Sequence, residues 1–264
     1  MQIFVMNLDR APERLAHMTT LFGGLGLPFT RVPAVDGKSL AAAEANRWIG
    51  GEPKFYPLGP GEIGCFLSHR ECWERVVRDG VDHAAIFEDD MLMGADADAV
   101  LSDSGWIPAD ADLVKLDTAC RNTVVDRHIA AVAGDHSVTR LREAHAGGGA
   151  YIVSRAGAQK LLGLSQSFCD PVDQFLFNPV SAVFQVAVIY QMTPALCIEM
   201  GVAGLAADAS LGSALSPERR RHRRAGWEKV TRELERPFEQ ATGLVKGALI
   251  NLRGKWRWGR IPYR

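Results

Sequence analysis

Apolar residues gather in short runs separated by stretches with helical spacing. The run IFVMNL at 3–8 predicts a strand that turns at Asp9 and Arg10. Pro12 suits the first turn of the helix that follows, where Leu15, Met18, Leu21 and Phe22 recur on one face. FTRVPAV (29–35) predicts a shorter extended segment closed by Asp36-Gly37, residues 38–49 a helix, and EPKFYPLGPG (52–61) a loop. From Glu62 a helix is predicted on the stripe Ile63, Phe66, Trp73 and Val77. Further on come HAAIF (83–87), DLVKLD (112–117) and AYIVS (150–154), the last followed by the helical RAGAQKLL. Strands alternating with helices predict an α/β domain with a mostly parallel, Rossmann-type sheet flanked by helices.

Ligands of such sheets sit beyond the carboxyl ends of the strands. Asp9, the triplet Glu88-Asp89-Asp90 and Asp117 all fall at such ends. Carboxylates beside an apolar run lose hydration and persist when paired, hydrogen-bonded or bound to a cation. Along an extended segment Glu88 and Asp90 point one way and Asp89 the other, unless the chain turns sharply at Asp89. Two carboxylates on one side suit a hard divalent ion, Mg²⁺ or Mn²⁺. The plainer alternative is that these acids end a strand and cap a helix. His69 shares the inward face of its helix and is either a hydrogen-bonded core histidine or a ligand contact. Asp170 and Asp173 flank Pro171-Val172, where a turn residue and a helix cap are the structural alternatives to catalysis. Gly147-Gly148-Gly149 precedes a strand rather than linking strand to helix, so it predicts a tight turn or a close approach to ligand.

Composition narrows the class. Of 264 residues 47% are hydrophobic, enough for a substantial core, and no stretch approaches the roughly 20 apolar residues of a membrane span. MQIFVMNLDR has no basic leader, and its short apolar run predicts a chain that stays in the cytoplasm. Five scattered cysteines without a C-x-x-C pair argue against a disulfide framework and against a zinc site. Charge divides the chain: residues 218–264 carry fourteen Lys or Arg against five Glu, a net +9, leaving −10 on residues 1–217. That shift marks residues 1–215 as the folded domain and 216–264 as a basic, amphipathic, helical C-terminal segment. Within it Leu244, Val245, Leu249, Ile250, Leu252, Trp256 and Trp258 interleave with basic residues, a pattern suited to an anionic membrane surface. No fold motif for reading nucleic acid accompanies the charge. Phosphate-loop, nucleophile-elbow and H-E-x-x-H motifs are likewise missing.

Several segments together resemble one family. Asn7-Leu8-Asp9-Arg10 with Pro12-Glu13-Arg14, Ala34 to Gly37, Gly61 to His69, Glu88 to Asp90, Gly147 to Leu162, and Pro171 to Asp173 are similar, in order, to the motifs of glycosyltransferase family 25, which includes lipooligosaccharide and collagen galactosyltransferases. The resemblance implies a GT-A-type fold, a UDP-sugar donor, usually UDP-galactose, and an inverting transfer. Glu88, Asp89 and Asp90 would then be the metal-holding segment. Asn7, Asp9, Arg10, Arg14, His69, Asp117, Gly148 and Gly149 would contact the donor, with Arg14 reaching phosphate. Inversion needs a base opposite the leaving group, with Asp173 the first candidate, Asp170 the second and Asp117 the third. Where the family often has Gly-Thr, this chain has Gly147-Gly148, one hydroxyl fewer near the sugar. The expected activity is a metal-dependent glycosyltransferase acting on a glycan or glycolipid acceptor, such as a lipooligosaccharide core, at the inner face of the cytoplasmic membrane. A metal-dependent nucleotide-sugar phosphohydrolase and a non-catalytic nucleotide-sugar or glycan-binding protein are the alternatives.

Overall fold

The computed structural model describes residues 1–204, 245, 247–252 and 254–264. Its first strand, β1 (Gln2–Asn7), buries Ile3 to Met6, and α1 (Pro12–Gly24) starts on Pro12 and lays Met18 and Phe22, one turn apart, against the sheet. After β2 (Thr30–Pro33) the helix expected over 38–49 shrinks to α2 (Ala42–Asn46). Its start is delayed because Asp36 binds the backbone N–H groups of Lys38 and Ser39 in a turn. In α3 (Pro60–Arg78) the Glu62 carboxylate accepts from Gly59 N at 2.9 Å, and Ile63, Phe66, Trp73 and Val76 are buried, so the stripe runs through Val76 while Val77 is half-buried.

The chain continues through β3 (His83–Glu88), β4 (Met91–Met93), α4 (Ala97–Ser102), β5 (Leu113–Lys115) and a hairpin of β6 (Asn122–Ala133) and β7 (His136–Leu141). Then come β8 (Ala150–Ser154), α5 (Arg155–Leu164) capped by the Ser154 hydroxyl, α6 (Val172–Phe177), α7 (Ala182–Val186), β9 (Ile189–Thr193), β10 (Cys197–Glu199), α8 (Met200–Ala203) and β11 (Trp256–Arg260). Among the described residues nine strands form one sheet in the order β11-β6-β7-β9-β5-β8-β3-β1-β2, while β4 and β10 make a separate ribbon. Six of the nine run one way, and β7, β8 and β11 oppose them.

Core residues pack on both faces of this sheet. Phe4, Met6, Phe66, Trp73, Tyr151 and Phe177 belong to one cluster, and Val5, Met18, Phe22, Phe87, Leu101 and Ile152 to the other. Each fully buried Phe or Met contributes roughly 1.5–3 kcal/mol. The fold is thus the α/β sheet flanked by helices that the sequence predicts. Of the segment expected as a basic helical tail, residues 216–244 lie outside the described residues, as does the boundary at 215. Residues 247–252 are helical, and β11 adds an outermost strand paired with β6, Trp258 opposite Val124. Ile261 is buried, and Ala195 N donates to Pro262 O at 2.7 Å, so the C-terminus packs on the domain.

Candidate active site

The carboxyl ends of β1, β3 and β5 meet at one edge of the sheet. Because β8 runs against β3 and opens with Ala150 opposite Phe87, the three glycines before it arrive at that same edge. Glu88 N donates to Gly149 O at 2.8 Å. Small size is required here: a Cβ on Gly149 would lie 2.5 Å from Met91 Sδ, and one on Gly147, whose φ is +94°, would lie 2.6 Å from Asp117 Oδ2.

Strand β3 ends at Glu88, and Asp89-Asp90 form the turn into β4. The alternation that would pair Glu88 with Asp90 and set Asp89 apart therefore stops one residue too early. Instead Asp89 and Asp90 converge on Arg14, whose Nη1 lies 2.5 Å from Asp89 Oδ1 and whose Nη2 lies 2.9 Å from Asp90 Oδ2. Asn7 Nδ2 donates to Asp89 Oδ2 at 2.7 Å and to Ala11 O at 2.9 Å. Arg14 and Asn7, expected to contact the donor, thus brace the acidic turn. Glu88 faces α3, with Oε1 3.4 Å from His69 Nε2 and 3.8 Å from Cys65 Sγ. His69 is at once a core residue and a neighbour of the acids: it is fully buried, and its Nδ1 lies 2.9 Å from the Tyr151 hydroxyl.

Asp90 is buried, and its Oδ1 has no hydrogen-bond partner among the described residues. Burial raises its pKa well above the ordinary carboxylate range, and the charge of Glu88 pushes the same way against the opposing pull of Arg14. Glu199 adds to that push and was missed by sequence reasoning. It ends the apolar run LCIE, the same signal as at Glu88, but only the pairing of β10 with β4 sets it opposite Met91 beside the acidic turn. Met200 N then donates to Asp90 O at 3.0 Å.

Lys115, also missed, is fully buried and donates to Asp117 Oδ1 and to Gly147 O, both at 2.5 Å. It ties the end of β5 to the glycine run. Burial raises the Asp117 pKa although Lys115 pulls it down. Asp173 lies in the first turn of α6, its Oδ1 accepting from Gln174 N at 2.9 Å and its Oδ2 from Gly147 N at 3.3 Å.

Two adjoining cavities open on this edge. The larger, about 220 Å³, is lined by Glu88, Asp117, Gly147 to Gly149, Asp173 and Glu199. The smaller, about 90 Å³, is lined by Arg10, Arg14, Asp36, Asp89 and Asp90, and Glu88 and Cys65 face both. Asp170 lies elsewhere, its Oδ1 accepting from Lys54 N at 2.8 Å on the surface. Asp9 is exposed and ion-paired with Arg31, while Arg10 pairs with Asp36 at 2.6 Å at the mouth of the smaller cavity.

Residues 1–176 match the model of glycosyltransferase family 25, described as an LPS biosynthesis protein family. The chain is 31% identical over 242 residues to the lacto-N-neotetraose biosynthesis glycosyltransferase LgtB of Neisseria gonorrhoeae, covering 86% of this chain and 85% of that one. It is 32% identical over 243 residues to LgtE of Neisseria meningitidis serogroup B, covering 85% of each. Among solved structures, a glycosyltransferase involved in glycosylation of the major capsid of PBCV-1 aligns over 76% of this chain and 93% of its own, at 9% identity and a TM-score of 0.41. The chain belongs to glycosyltransferase family 25 and is a glycosyltransferase.

Proposed function

We propose that this enzyme transfers galactose with inversion from UDP-galactose to a glycan acceptor of the lipooligosaccharide or lipopolysaccharide core. The observation that carries the reading is the position of Glu88 on the walls of both cavities, with Asp173 on the larger and, on the smaller, Asp90, whose buried Oδ1 has no hydrogen-bond partner among the described residues. In this reading the smaller cavity takes the nucleotide, with Arg10 and Asp36 at its mouth, and the larger takes donor sugar and acceptor. Involvement in such a glycan is supported by the two Neisseria relatives, both described as lacto-N-neotetraose biosynthesis enzymes.

In this reading Glu88 and Asp90, whose charges act on one another, supply carboxylate oxygens to a hard divalent cation; Asp90 Oδ1 is a buried acceptor with no hydrogen-bond donor among the described residues. Mn²⁺ or Mg²⁺ held there would neutralise charge developing on the departing diphosphate. Arg14 and Asn7 keep Asp89 and Asp90 in a fixed arrangement that requires little reorganisation during the reaction. Asp173 accepts the proton of the attacking hydroxyl, oriented by the backbone N–H groups of Gly147 and Gln174. Lys115 holds Asp117 and the Gly147 carbonyl in register on the cavity wall.

The test is incubation of the full-length enzyme with UDP-galactose and other UDP-sugars, a β-linked oligosaccharide acceptor, and Mn²⁺ or chelator, with products read by mass spectrometry. Cation-dependent addition of one hexose to the acceptor is expected. Release of sugar or sugar phosphate to water alone would favour the phosphohydrolase, and donor binding without turnover the non-catalytic reading.

A further inference from the structure

The C-x-x-C criterion overlooks one thiol-containing cluster. Cys65 and His69 stand four residues apart on α3 and so share a face, which looks onto Glu88 at the end of β3. Their ligand atoms lie within 4.8 Å of one another. We propose that Cys65 Sγ, His69 Nε2 and Glu88 Oε1 form a binding site for a borderline-soft divalent cation, zinc above all, with its fourth position open to the larger cavity.

Three features of the geometry support it. With Zn–S about 2.3 Å and Zn–N and Zn–O about 2.0–2.2 Å, a tetrahedral ion sets its ligand atoms about 3.3–3.6 Å apart. The observed separations are 3.4 Å from His69 Nε2 to Glu88 Oε1 and 3.8 Å from Cys65 Sγ to the same oxygen. The imidazole is also already aimed. It stacks on Tyr151 at 5.7 Å and 17°, and its Nδ1 is 2.9 Å from the Tyr151 hydroxyl, which accepts from Trp73 Nε1 at 2.8 Å. Such a partner on the second ring nitrogen orients a metal-bound histidine. Finally, Cys65 and Glu88 both line the larger cavity, leaving room for water or a substrate atom as the fourth ligand.

The protons balance. Without metal, Nε2 lies 3.4 Å from Glu88 Oε1 and Nδ1 2.9 Å from the Tyr151 hydroxyl. With metal, the ring proton sits on Nδ1 and is donated to the Tyr151 oxygen, whose two lone pairs accept from both Trp73 and His69. The Cys65 thiol gives its proton to solvent, so loading releases one proton. A thiolate–imidazole pair prefers zinc to the magnesium or manganese suited to the all-oxygen set of Glu88 and Asp90. Since Glu88 serves both, zinc and the hard cation exclude one another.

The test titrates metal-stripped, full-length protein with Co²⁺, a spectroscopic stand-in for zinc, in the absence of nucleotide sugar. One equivalent should produce a thiolate-to-cobalt charge-transfer band together with the intense visible absorption of tetrahedral cobalt, and zinc should abolish both. Cys65→Ser should remove the charge-transfer band, His69→Gln should weaken zinc binding by about tenfold or more, and Asp90→Asn should leave the band in place. Far-UV circular dichroism checks that each variant is folded. Absence of the band in the wild type, or its persistence in Cys65→Ser, would overturn the proposal. Because no sugar is present, that failure would leave a cation-dependent transfer reaction standing, and failure of transfer would leave the cobalt band standing.

Discussion

Asp90 is held in the fold at a cost, since its charge is buried beside Glu88 and Glu199 with Arg14 shared between it and Asp89. A carboxyl whose pKa is raised by folding binds its proton more tightly folded than unfolded, so its ionised form opposes folding at neutral pH and the opposition fades as pH falls through the raised value. Asp90→Asn should therefore stabilise the metal-free protein at pH 7 by roughly 0.5–2 kcal/mol. In denaturant titrations the difference between variant and wild type should shrink on acidification. Manganese at about a hundred times its dissociation constant should stabilise the wild type by about 2.7 kcal/mol and the variant hardly at all. A variant less stable than the wild type without metal, yet still stabilised by manganese, would remove Asp90 from the cation site. The two aspartates around Pro171 separate just as sharply. Asp173 faces the larger cavity whereas Asp170 holds Lys54 N at the surface. Asp173→Asn should lower turnover about 10²–10⁴-fold with donor affinity retained in calorimetry, and Asp170→Asn should stay near the wild-type rate. Near-normal turnover in Asp173→Asn would place the base elsewhere.

At the scale of elements, legibility followed locality. Strands β1, β3 and β8 and helix α3 were readable because each carries its own apolar run or stripe. The β6–β7 hairpin was not: β6 leaves most of its outer half exposed, and its register with β7 shifts twice after Val125, which breaks the alternation a strand would show. In β11, Trp256 and Trp258 alternate with Arg257 and Arg260 lies beyond, a period-two signal read as part of an amphipathic basic helix. Basic residues on an outermost strand also discourage pairing with another chain. At the site the common position of Glu88 to Asp90 and Asp117 at the strand ends was legible, but the partners each acid takes there, and Glu199, were not. The antiparallel sense of β8, the β4–β10 ribbon that delivers Glu199 and the bracing of the turn at Asp89 by Asn7 and Arg14 are all long-range facts. The glycine run tests this reading. Gly147→Ala meets both the positive φ and Asp117, so it should lose about 1–3 kcal/mol of stability and most of its turnover. Gly163→Ala, within α5 with nothing within 4 Å of the added Cβ, should be neutral or stabilising by about 0.5–1 kcal/mol. Equal effects on turnover from the two, followed by steady-state kinetics, would deny the glycine run its place at the site.

For the whole molecule the division of charge meets the architecture at the C-terminus. Among the described residues no helix is long and apolar enough to cross a membrane. Val245, Leu249 and Leu252 are nonetheless exposed at 61%, 53% and 81%, and Leu249 and Leu252, three apart in the helical residues 247–252, share one face. Lys255, Arg257 and Arg260 follow directly in sequence. An apolar face beside cations suits the headgroup region of an anionic membrane, where each cation near the surface adds about 1 kcal/mol. Removing the whole segment would be a poor test, because it would strip β11 from β6 and unseat buried Ile261. The informative variant is Leu249→Glu with Leu252→Glu, which reverses the exposed face and leaves the sheet intact. Full-length protein should sediment with phosphatidylglycerol-containing vesicles at low salt and be released as salt rises, through screening of the charges. The double variant should remain in the supernatant and lose several-fold more activity on a lipid-linked acceptor than on a soluble oligosaccharide. Sedimentation of the variant equal to wild type would assign any attachment to charge alone, and a wild type that stays in solution at low salt would leave these leucines as a surface for something other than lipid.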